Sequence, residues 1–295
     1  MLREPRGPAP SHGRVQPSEQ EWAVLAPVER VALRVAEAAH GRLGRALTTA
    51  WNLSVVSGML WLCSGRRTRV RGLHHLAPFG PSDSVVLVAN HRSFFDFFVI
   101  TGVLHWRTRL CKQRVLFPVR APFFYDHPMG IIANAALSGM RMYPPILRDR
   151  KRAVFNRYTV ARCVQELQEP GTILGLHPEG TRNKGTDPYA LLPGQPGVGR
   201  VLVEAAGATV IPVFVHGLSN DLMAELTCNW TAPHERPIDV VFGAPVPLSD
   251  VRVAGSRPAS HRSAVQRCME AIAALGEQHR ATREGAPDGV RDAHP

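Results

Sequence analysis

A histidine and an aspartate five residues apart form a candidate acid–base pair. His91 and Asp96 lie in the stretch Asn90-His91-Arg92-Ser93-Phe94-Phe95-Asp96. The stretch follows an apolar run typical of a buried strand and precedes a helical pattern, so we expect it at the carboxyl end of a strand, where α/β active sites collect. From the first turns of that helix, the Asp96 carboxylate can accept the proton of one imidazole nitrogen and leave the other nitrogen as a base. Ser93 is placed to cap the helix.

A second polar motif follows another apolar run and is therefore expected at the same edge of the sheet. It reads Leu176-His177-Pro178-Glu179-Gly180-Thr181-Arg182. Arg182 can bind a phosphate through two parallel N–H bonds, and Gly180 lets the backbone approach a ligand closely. Glu179 is expected to orient the arginine or to accept a substrate hydroxyl. His177 is not assigned as a second base, because the sequence shows no orienting partner near it.

Together with Val210-Ile211-Pro212-Val213, the two motifs resemble the glycerol-phosphate and lysophosphatidate acyltransferase family over residues 70–247. The resemblance implies transfer of a fatty acyl group from acyl-CoA or an acyl carrier protein, as co-substrate, to a lysophospholipid hydroxyl. The default acceptor is 1-acylglycerol-3-phosphate, which would give phosphatidic acid. Glycerol 3-phosphate, other lysophospholipids and lyso-ornithine lipids stay open as acceptors. We expect no further cofactor and no metal.

The resemblance also assigns roles to individual residues. It makes His91 and Asp96 the catalytic pair, with the imidazole as base. The residues predicted to bind substrate are Glu179, Gly180, Thr181 and Arg182, to which we add Asn90, Ser93 and Arg148.

The sequence departs from the family pattern in two places. Pro144-Pro145 interrupts the segment that carries the family's middle arginine, so both Arg148 and Arg150 are candidates for the phosphate ligand. His177 stands where the family more often has an aromatic residue. Both changes bear on the identity of the acceptor more than on the type of reaction.

The chain is strongly basic, with 35 Lys and Arg against 24 Asp and Glu and a net charge of +11. Such a surface attracts anionic lipid, phosphorylated substrates or nucleic acid by the same physics. No recognised nucleic-acid motif is present, and the two polar motifs would have no purpose in such a module, so we predict no nucleic-acid partner. The five cysteines are scattered without metal-ligand spacing, and no secretory signal peptide is recognised, which indicates reduced thiols.

Beyond residue 68, short apolar runs alternate with helical patterns. The runs lie at 85–89, 172–176, 209–215 and 238–242, and the helical patterns at 94–105, 153–168, 197–206 and 263–279. This alternation predicts an α/β fold with a largely parallel central sheet flanked by helices.

The segment before the sheet is predicted to hold the protein on a membrane. Residues 21–39 form an amphipathic pattern, and residues 46–63 are mainly apolar, with Trp51 and Trp61 near the ends. At ~1.5 Å per residue the second helix would span roughly 27 Å, slightly less than a ~30 Å hydrocarbon core. We therefore favour an N-terminal helical hairpin lying in the interface over a core helix and over a full crossing.

Four arginines follow that segment and favour anionic lipid head groups: Arg66, Arg67, Arg69 and Arg71. The predicted location is the cell membrane, as a peripheral or monotopic protein on the cytoplasmic face. We accordingly divide the chain into a flexible tail (1–20), a membrane-associating helical segment (21–67), an acyltransferase α/β domain (68–280) and a second flexible tail (281–295).

Two other functions compete with acyl transfer. A serine hydrolase would need a nucleophile, yet no Gly-x-Ser-x-Gly motif is present, and Ser93 lies too close to His91 along the chain for an easy triad. A catalytically silent, lipid-binding relative stays open, because the catalytic and binding residues are adjacent.

Overall fold

Six strands form the central sheet of the computed structural model, which describes residues 13–284. In sheet order they are β1 (Thr68–Arg71), β8 (Ile238–Phe242), β7 (Thr209–His216), β2 (Val85–Ala89), β6 (Thr172–Leu176) and β3 (Arg114–Leu116). Strands β7, β2, β6 and β3 run parallel, whereas β8 is antiparallel to β7 and β1 is parallel to β8. The predicted largely parallel α/β sheet is confirmed. The sequence did not identify β1 and β3 as strands, because one is rich in arginine and the other has only three residues.

The central strand β2 shows why this segment forms a parallel sheet. All five of its residues are buried and apolar. Val85, Leu87 and Ala89 pack into one core cluster, while Val86 and Val88 pack into the cluster on the other face. Because both faces are covered, the strand is a continuous apolar run with no polar alternation.

Helices cover both faces of the sheet. They are α1 (Glu19–Ala23), α2 (Pro27–Ala39), α3 (Arg42–Trp51), α4 (Ser57–Leu60), α5 (Asp96–Arg107), α6 (Ala121–Phe124), α7 (Pro128–Ser138), α8 (Asn156–Gln168), α9 (Pro196–Glu204), α10 (Leu222–Thr231), α11 (Ser249–Val253) and α12 (Pro258–Glu284). Helices α2, α4 and α5 contribute to the first core cluster, and α8, α9 and α12 contribute to the second. A small parallel pair, β4 (Val119–Arg120) and β5 (Pro145–Ile146), lies beside the main sheet.

The helix predicted at 21–39 is two helices. The side chain of Ser18 accepts the backbone N–H of Glu21 and caps α1, which ends at Ala23. Pro27 then begins α2, since the first turn of a helix needs no N–H donor at that position. The predicted tails, 1–20 and 281–295, lie largely outside the described residues, although α1 begins at Glu19 and α12 continues to Glu284.

The apolar N-terminal segment forms one continuous helical stretch, here called the long helix. It comprises α3, a π-helical turn (Asn52–Val56), α4 and a second π-helical turn (Trp61–Gly65). Its 23 residues from Leu43 to Gly65 have a mean hydropathy of 1.3 and are long and apolar enough to cross a membrane, which alone is weak support for membrane association. Only 17% of its most apolar window is buried.

The long helix packs against the sheet domain along one narrow stripe. Val56 and Leu60 are buried on this stripe and belong to the same core cluster as β2. Leu33 and Ala36 of α2 belong to that cluster too. Residues 21–67 and 68–280 therefore share one hydrophobic core.

Candidate active site

His91 and Asp96 meet at the carboxyl end of β2. Nδ1 of His91 lies 3.0 Å from Oδ2 of Asp96, which also accepts the backbone N–H groups of Arg92 and Ser93 at 2.9 Å each. Asp96 is 1% exposed and is the first residue of α5, so the turn before the helix fixes its position. An ionised carboxylate only accepts hydrogen bonds, so Nδ1 carries the imidazole proton and Nε2 is free to act as a base.

The protonation states follow from burial and from nearby positive charge. Burial raises the pKa of Asp96 to about 6. Burial, followed by the charges of Arg182, Arg120 and Arg148, lowers the pKa of His91 to about 3. At neutral pH the imidazole is therefore neutral and the carboxylate is mainly ionised, which is the arrangement that a general base requires.

His177 stacks on the imidazole of His91. The two ring centroids are 3.8 Å apart and the planes differ by 11°, and the ring of Phe97 lies 4.2 Å from that of His177 in a tilted arrangement. Nδ1 of His177 lies 3.0 Å from the carbonyl oxygen of Ala89, so a backbone group supplies the orienting partner that the sequence did not reveal. The stack restricts rotation of the His91 ring, and burial and His91 together lower the pKa of His177 to about 3.

Glu179 holds two loops in place. Its carboxylate accepts the backbone N–H of His91 at 2.7 Å and that of Leu192 at 2.8 Å, and the residue is 1% exposed. The carbonyl oxygen of His91 in turn accepts the N–H of Asn183 at 2.7 Å. The carboxylate predicted to orient the arginine or to accept a substrate hydroxyl therefore accepts backbone N–H groups from two loops in the structure.

The side chains of Asn90 and Ser93 also form hydrogen bonds within the protein. The amide of Asn90 exchanges two hydrogen bonds with the backbone of Val215 on β7, at 2.9 and 2.7 Å. The hydroxyl of Ser93 donates to the carbonyl of Ser219 and accepts the N–H of Phe95 at 3.1 Å, whereas the helix itself has no side-chain cap at Phe95. These two predicted substrate-binding residues fix the loop around His91, and Ser93 is not the predicted helix cap.

Three arginines converge beside the pair. Arg120 and Arg148 both donate to the carbonyl oxygen of Gly180, Arg120 at 3.3 Å. They come together because β4 ends at Arg120 and pairs with β5, two residues before Arg148. Arg182 is half-buried and donates to Oδ1 of Asn220 at 2.7 Å.

Arg148 and Arg150, the two candidate phosphate ligands in the sequence, have different surroundings in the structure. Arg148 reaches Gly180, whereas Arg150 begins a short 3-10 helix (Arg150–Phe155). The sequence did not identify Arg120 as a candidate site residue, since it lies in a two-residue strand and belongs to neither motif. Its signal was a basic residue just after an apolar run, which is too common in this arginine-rich chain to be selected.

Gly180 adopts a conformation that favours glycine. Its φ is +64°, and a Cβ there would lie 2.8 Å from Cγ of Gln195. The backbone can therefore turn its carbonyl toward the arginines without strain. Thr181 is half-buried beside it.

An aromatic surface adjoins the loop that carries His91. The ring of Phe94 lies 5.8 Å from that of Phe98, 6.1 Å from Phe124 and 6.2 Å from Phe123. Phe123 is 60% exposed. An apolar substrate chain that reaches His91 can be received by this surface.

Two groups of side chains in the described part of the chain have possible metal-ligand atoms close together. These groups are His91, Asp96 and His177, and His216, Asp239 and His279. In the first group, His91 and Asp96 bind each other and three arginines lie close by, so the local potential opposes a cation. In the second, Tyr189 and Arg283 occupy ring nitrogens of the two histidines. Neither arrangement favours a metal over the hydrogen-bonded network.

Comparison with known proteins adds one finding. A family model described as "Acyltransferase" matches residues 67–216, just over half of the 295 residues, and covers both polar motifs. The search of curated proteins gave no match.

Proposed function

The chain belongs to the acyltransferase family, and we propose that it moves a fatty acyl group from an acyl thioester to the hydroxyl of a lysophospholipid. The observation that carries this proposal is the 3.0 Å contact between Nδ1 of His91 and Oδ2 of Asp96, next to three guanidinium groups. It joins a neutral base to a site for a negatively charged substrate.

The proposed reaction is direct transfer. Nε2 of His91 takes the proton of the acceptor hydroxyl while its oxygen attacks the thioester carbonyl carbon. The carbon–sulfur bond breaks, and the departing thiolate takes the proton back from Nε2. Asp96 stabilises the transient imidazolium, and general-base assistance of this kind is typically worth about 10²–10⁴ in rate.

The proposed acceptor is 1-acylglycerol-3-phosphate, which would yield phosphatidic acid. Arg120, Arg148 and Arg182 lie close enough to His91 to lower its pKa, so a phosphate that they bind would place a neighbouring hydroxyl near Nε2. Guanidinium groups bind phosphate through paired, charge-assisted hydrogen bonds. Each arginine here makes few bonds within the protein and retains further N–H donors for a ligand.

The proposed donor is acyl-CoA or an acyl carrier protein, acting as co-substrate with no further cofactor. Both present the acyl group as a thioester, and the aromatic surface around Phe94 and Phe123 suits the acyl chain. Burial of that chain would supply binding energy of roughly 0.8 kcal/mol per CH₂ group.

The proposed location is the cytoplasmic face of the cell membrane. The long helix exposes Leu43 (75%), Leu47 (64%) and Leu62 (48%), and α7 and α10 expose Ile132 (57%) and Met223 (66%). These side chains belong to adjoining elements, here called the apolar face, which the positive charge of the chain would bring to anionic lipid.

Contacts along the long helix favour an interfacial helix over a crossing one. Nε1 of Trp51 donates to the carbonyl of Ala136 at 3.1 Å, Nε1 of Trp106 donates to Oγ of Ser57 at 2.9 Å, and Nε1 of Trp230 donates to the carbonyl of Leu62 at 2.9 Å. A helix held by the domain from its middle to its end cannot enter the hydrocarbon without the domain, so a monotopic arrangement is the one we propose.

The test is an acceptor panel with product analysis by mass spectrometry. Purified protein on anionic vesicles receives acyl-CoA or acyl carrier protein with 1-acylglycerol-3-phosphate, glycerol 3-phosphate, a lysophosphatidylcholine, a lyso-ornithine lipid or no acceptor. We expect phosphatidic acid with the first acceptor and little thioester loss without an acceptor. Equal thioester loss in every arm would identify a hydrolase, and no loss in any arm would identify a silent lipid-binding relative.

A further inference from the structure

A second cluster of positive charge surrounds a cavity at the end of the parallel strands opposite to His91. The cavity has a volume of about 280 Å³ and is lined partly by Pro81, Gln113 and Gly171. These residues precede β2, β3 and β6, so the cavity lies at the amino-terminal ends of the strands. The active site follows the carboxyl ends of β2 and β6, and a five-residue strand is roughly 17 Å long, so the two sites are separate.

Among residues 13–284, five cationic side chains and no carboxylate line this cavity. They are Arg45, Arg109, Lys112, Arg114 and Arg141, and we call the space they enclose the basic cavity. Arg45 is paired with Glu169 at 3.3 Å, and Arg114 is paired with Glu166. Within residues 13–284, the other three cations have no carboxylate partner.

Arg141 is buried, whereas Arg109 and Lys112 are exposed. Arg141 is 4% exposed, and its guanidinium bonds to Nε2 of His105 at 2.9 Å, a neutral group. A buried guanidinium without a counter-charge is strongly disfavoured, and burial accordingly lowers its pKa to about 9. Nη1 of Arg114 is also buried and has no acceptor among the described residues. Among the described residues, the cavity thus has N–H donors without acceptors and positive charges without carboxylate partners.

We infer that the basic cavity binds a phosphoryl group through Arg109, Lys112 and Arg141. A phosphate supplies both the missing negative charge and several acceptor oxygens, and arginine binds it in pairs of parallel bonds. The volume far exceeds the roughly 30 Å³ that one water occupies in the liquid, so it admits a ligand of this size.

The position of the cavity indicates two sources for the phosphate. Arg45, Thr48 and Asn52 of the long helix form one wall, so the cavity opens at the helix that carries the apolar face. A phosphate monoester head group of an anionic lipid can therefore enter from the bilayer, and a soluble phosphate can enter from the aqueous side. The inference does not depend on the proposed acyl transfer, because it uses none of the residues of the catalytic edge.

Hydrogen exchange with mass spectrometry on the full chain tests this inference, because it reports each site separately. The ligands are inorganic phosphate, vesicles containing phosphatidate, and vesicles given the same negative charge by a fatty acid. We expect a phosphate-bearing ligand to slow exchange in peptides covering residues 109–114 and 139–141. Protection by inorganic phosphate identifies a soluble ligand, and protection by phosphatidate vesicles alone identifies a lipid head group.

Two matched double variants distinguish binding at the basic cavity from attraction to the overall positive charge of the protein. Arg109→Gln with Lys112→Gln removes two exposed cations at the cavity, and we expect half-saturation of protection at a concentration roughly tenfold higher or more. Arg257→Gln with Arg262→Gln removes the same charge at the start of α12 and should leave the protection unchanged. Equal protection by fatty-acid vesicles, equal losses in both double variants, or no protection by any ligand would overturn the inference.

Discussion

Replacing Glu179 by glutamine distinguishes a positioning residue from a substrate ligand. The carboxylate accepts two backbone N–H groups, from His91 at 2.7 Å and Leu192 at 2.8 Å, at a residue that is 1% exposed. Glutamine keeps one acceptor oxygen and turns an NH₂ group toward the other N–H, so one buried donor loses its partner. A buried donor left without an acceptor costs about 1–3 kcal/mol, so we expect Glu179→Gln to lower the free energy of unfolding by about 1–3 kcal/mol.

The same change should affect turnover more than binding. Release of the His91 backbone displaces the imidazole, and a displacement of ~1 Å can lower the rate about 10²-fold. We expect kcat to fall while KM for the phosphorylated acceptor changes little, as measured by steady-state kinetics alongside chemical denaturation. Glu270→Gln, at an exposed site on α12, is the matched control and should change stability by less than about 0.5 kcal/mol. A raised KM with unchanged stability would refute the positioning role.

Three further outcomes are expected from the same geometry. Arg120→Lys should raise KM for the phosphorylated acceptor about tenfold and leave KM for the donor unchanged in steady-state kinetics, because a point charge replaces a bidentate group; equal effects on both substrates would contradict this. Burial raises the pKa of Asp96 to about 6, so kcat/KM should fall as pH drops below that value and the carboxylate is protonated; a pH–rate profile that stays level to pH 4 would exclude this carboxylate as the orienting group. Leu47→Glu with Leu62→Glu, at side chains 64% and 48% exposed, should weaken binding to anionic vesicles in a sedimentation assay without unfolding the protein, whereas Val253→Glu (88% exposed) should not; retained binding of the double variant would remove the apolar face from the membrane contact.

The central strands and the contact between His91 and Asp96 could be predicted because each depends on a short stretch of sequence. Residues 85–89 are all apolar and form β2 with the predicted bounds, as 172–176 and 238–242 form β6 and β8. His91 and Asp96 lie five residues apart around the start of one helix, so local geometry alone brings them to 3.0 Å.

What the sequence could not supply depends on distant parts of the chain. Arg120 reaches the site because β4 pairs with β5, and the two strands are more than twenty residues apart. The carboxylate of Glu179 is occupied by a backbone group of Leu192, a contact that no motif encodes. The basic cavity is enclosed by the long helix and by loops before three strands, so its charges converge only in the folded protein.

Because the N-terminal segment shares the core of the sheet domain, its deletion cannot test membrane association by itself. Deleting residues before 68 would remove Leu33, Val56 and Leu60 from the cluster that covers β2. Loss of large buried side chains typically destabilises a protein by 2–5 kcal/mol each. A truncated chain would therefore report on unfolding, and substitutions on the exposed side of the long helix are the sharper test.

The most direct test of the proposed catalysis is a single-turnover comparison of the unmodified protein with His91→Ala. Enzyme in excess over acyl-CoA is mixed with 1-acylglycerol-3-phosphate on vesicles, quenched at intervals, and analysed for phosphatidic acid, while thermal unfolding verifies that the variant is folded. Nδ1 of His91 lies 3.0 Å from Oδ2 of Asp96, which leaves Nε2 as the base. If Nε2 is the base, the transfer rate of His91→Ala should be lower by about 10²-fold or more. A folded His91→Ala protein that forms phosphatidic acid at nearly the unmodified rate would contradict the proposed mechanism.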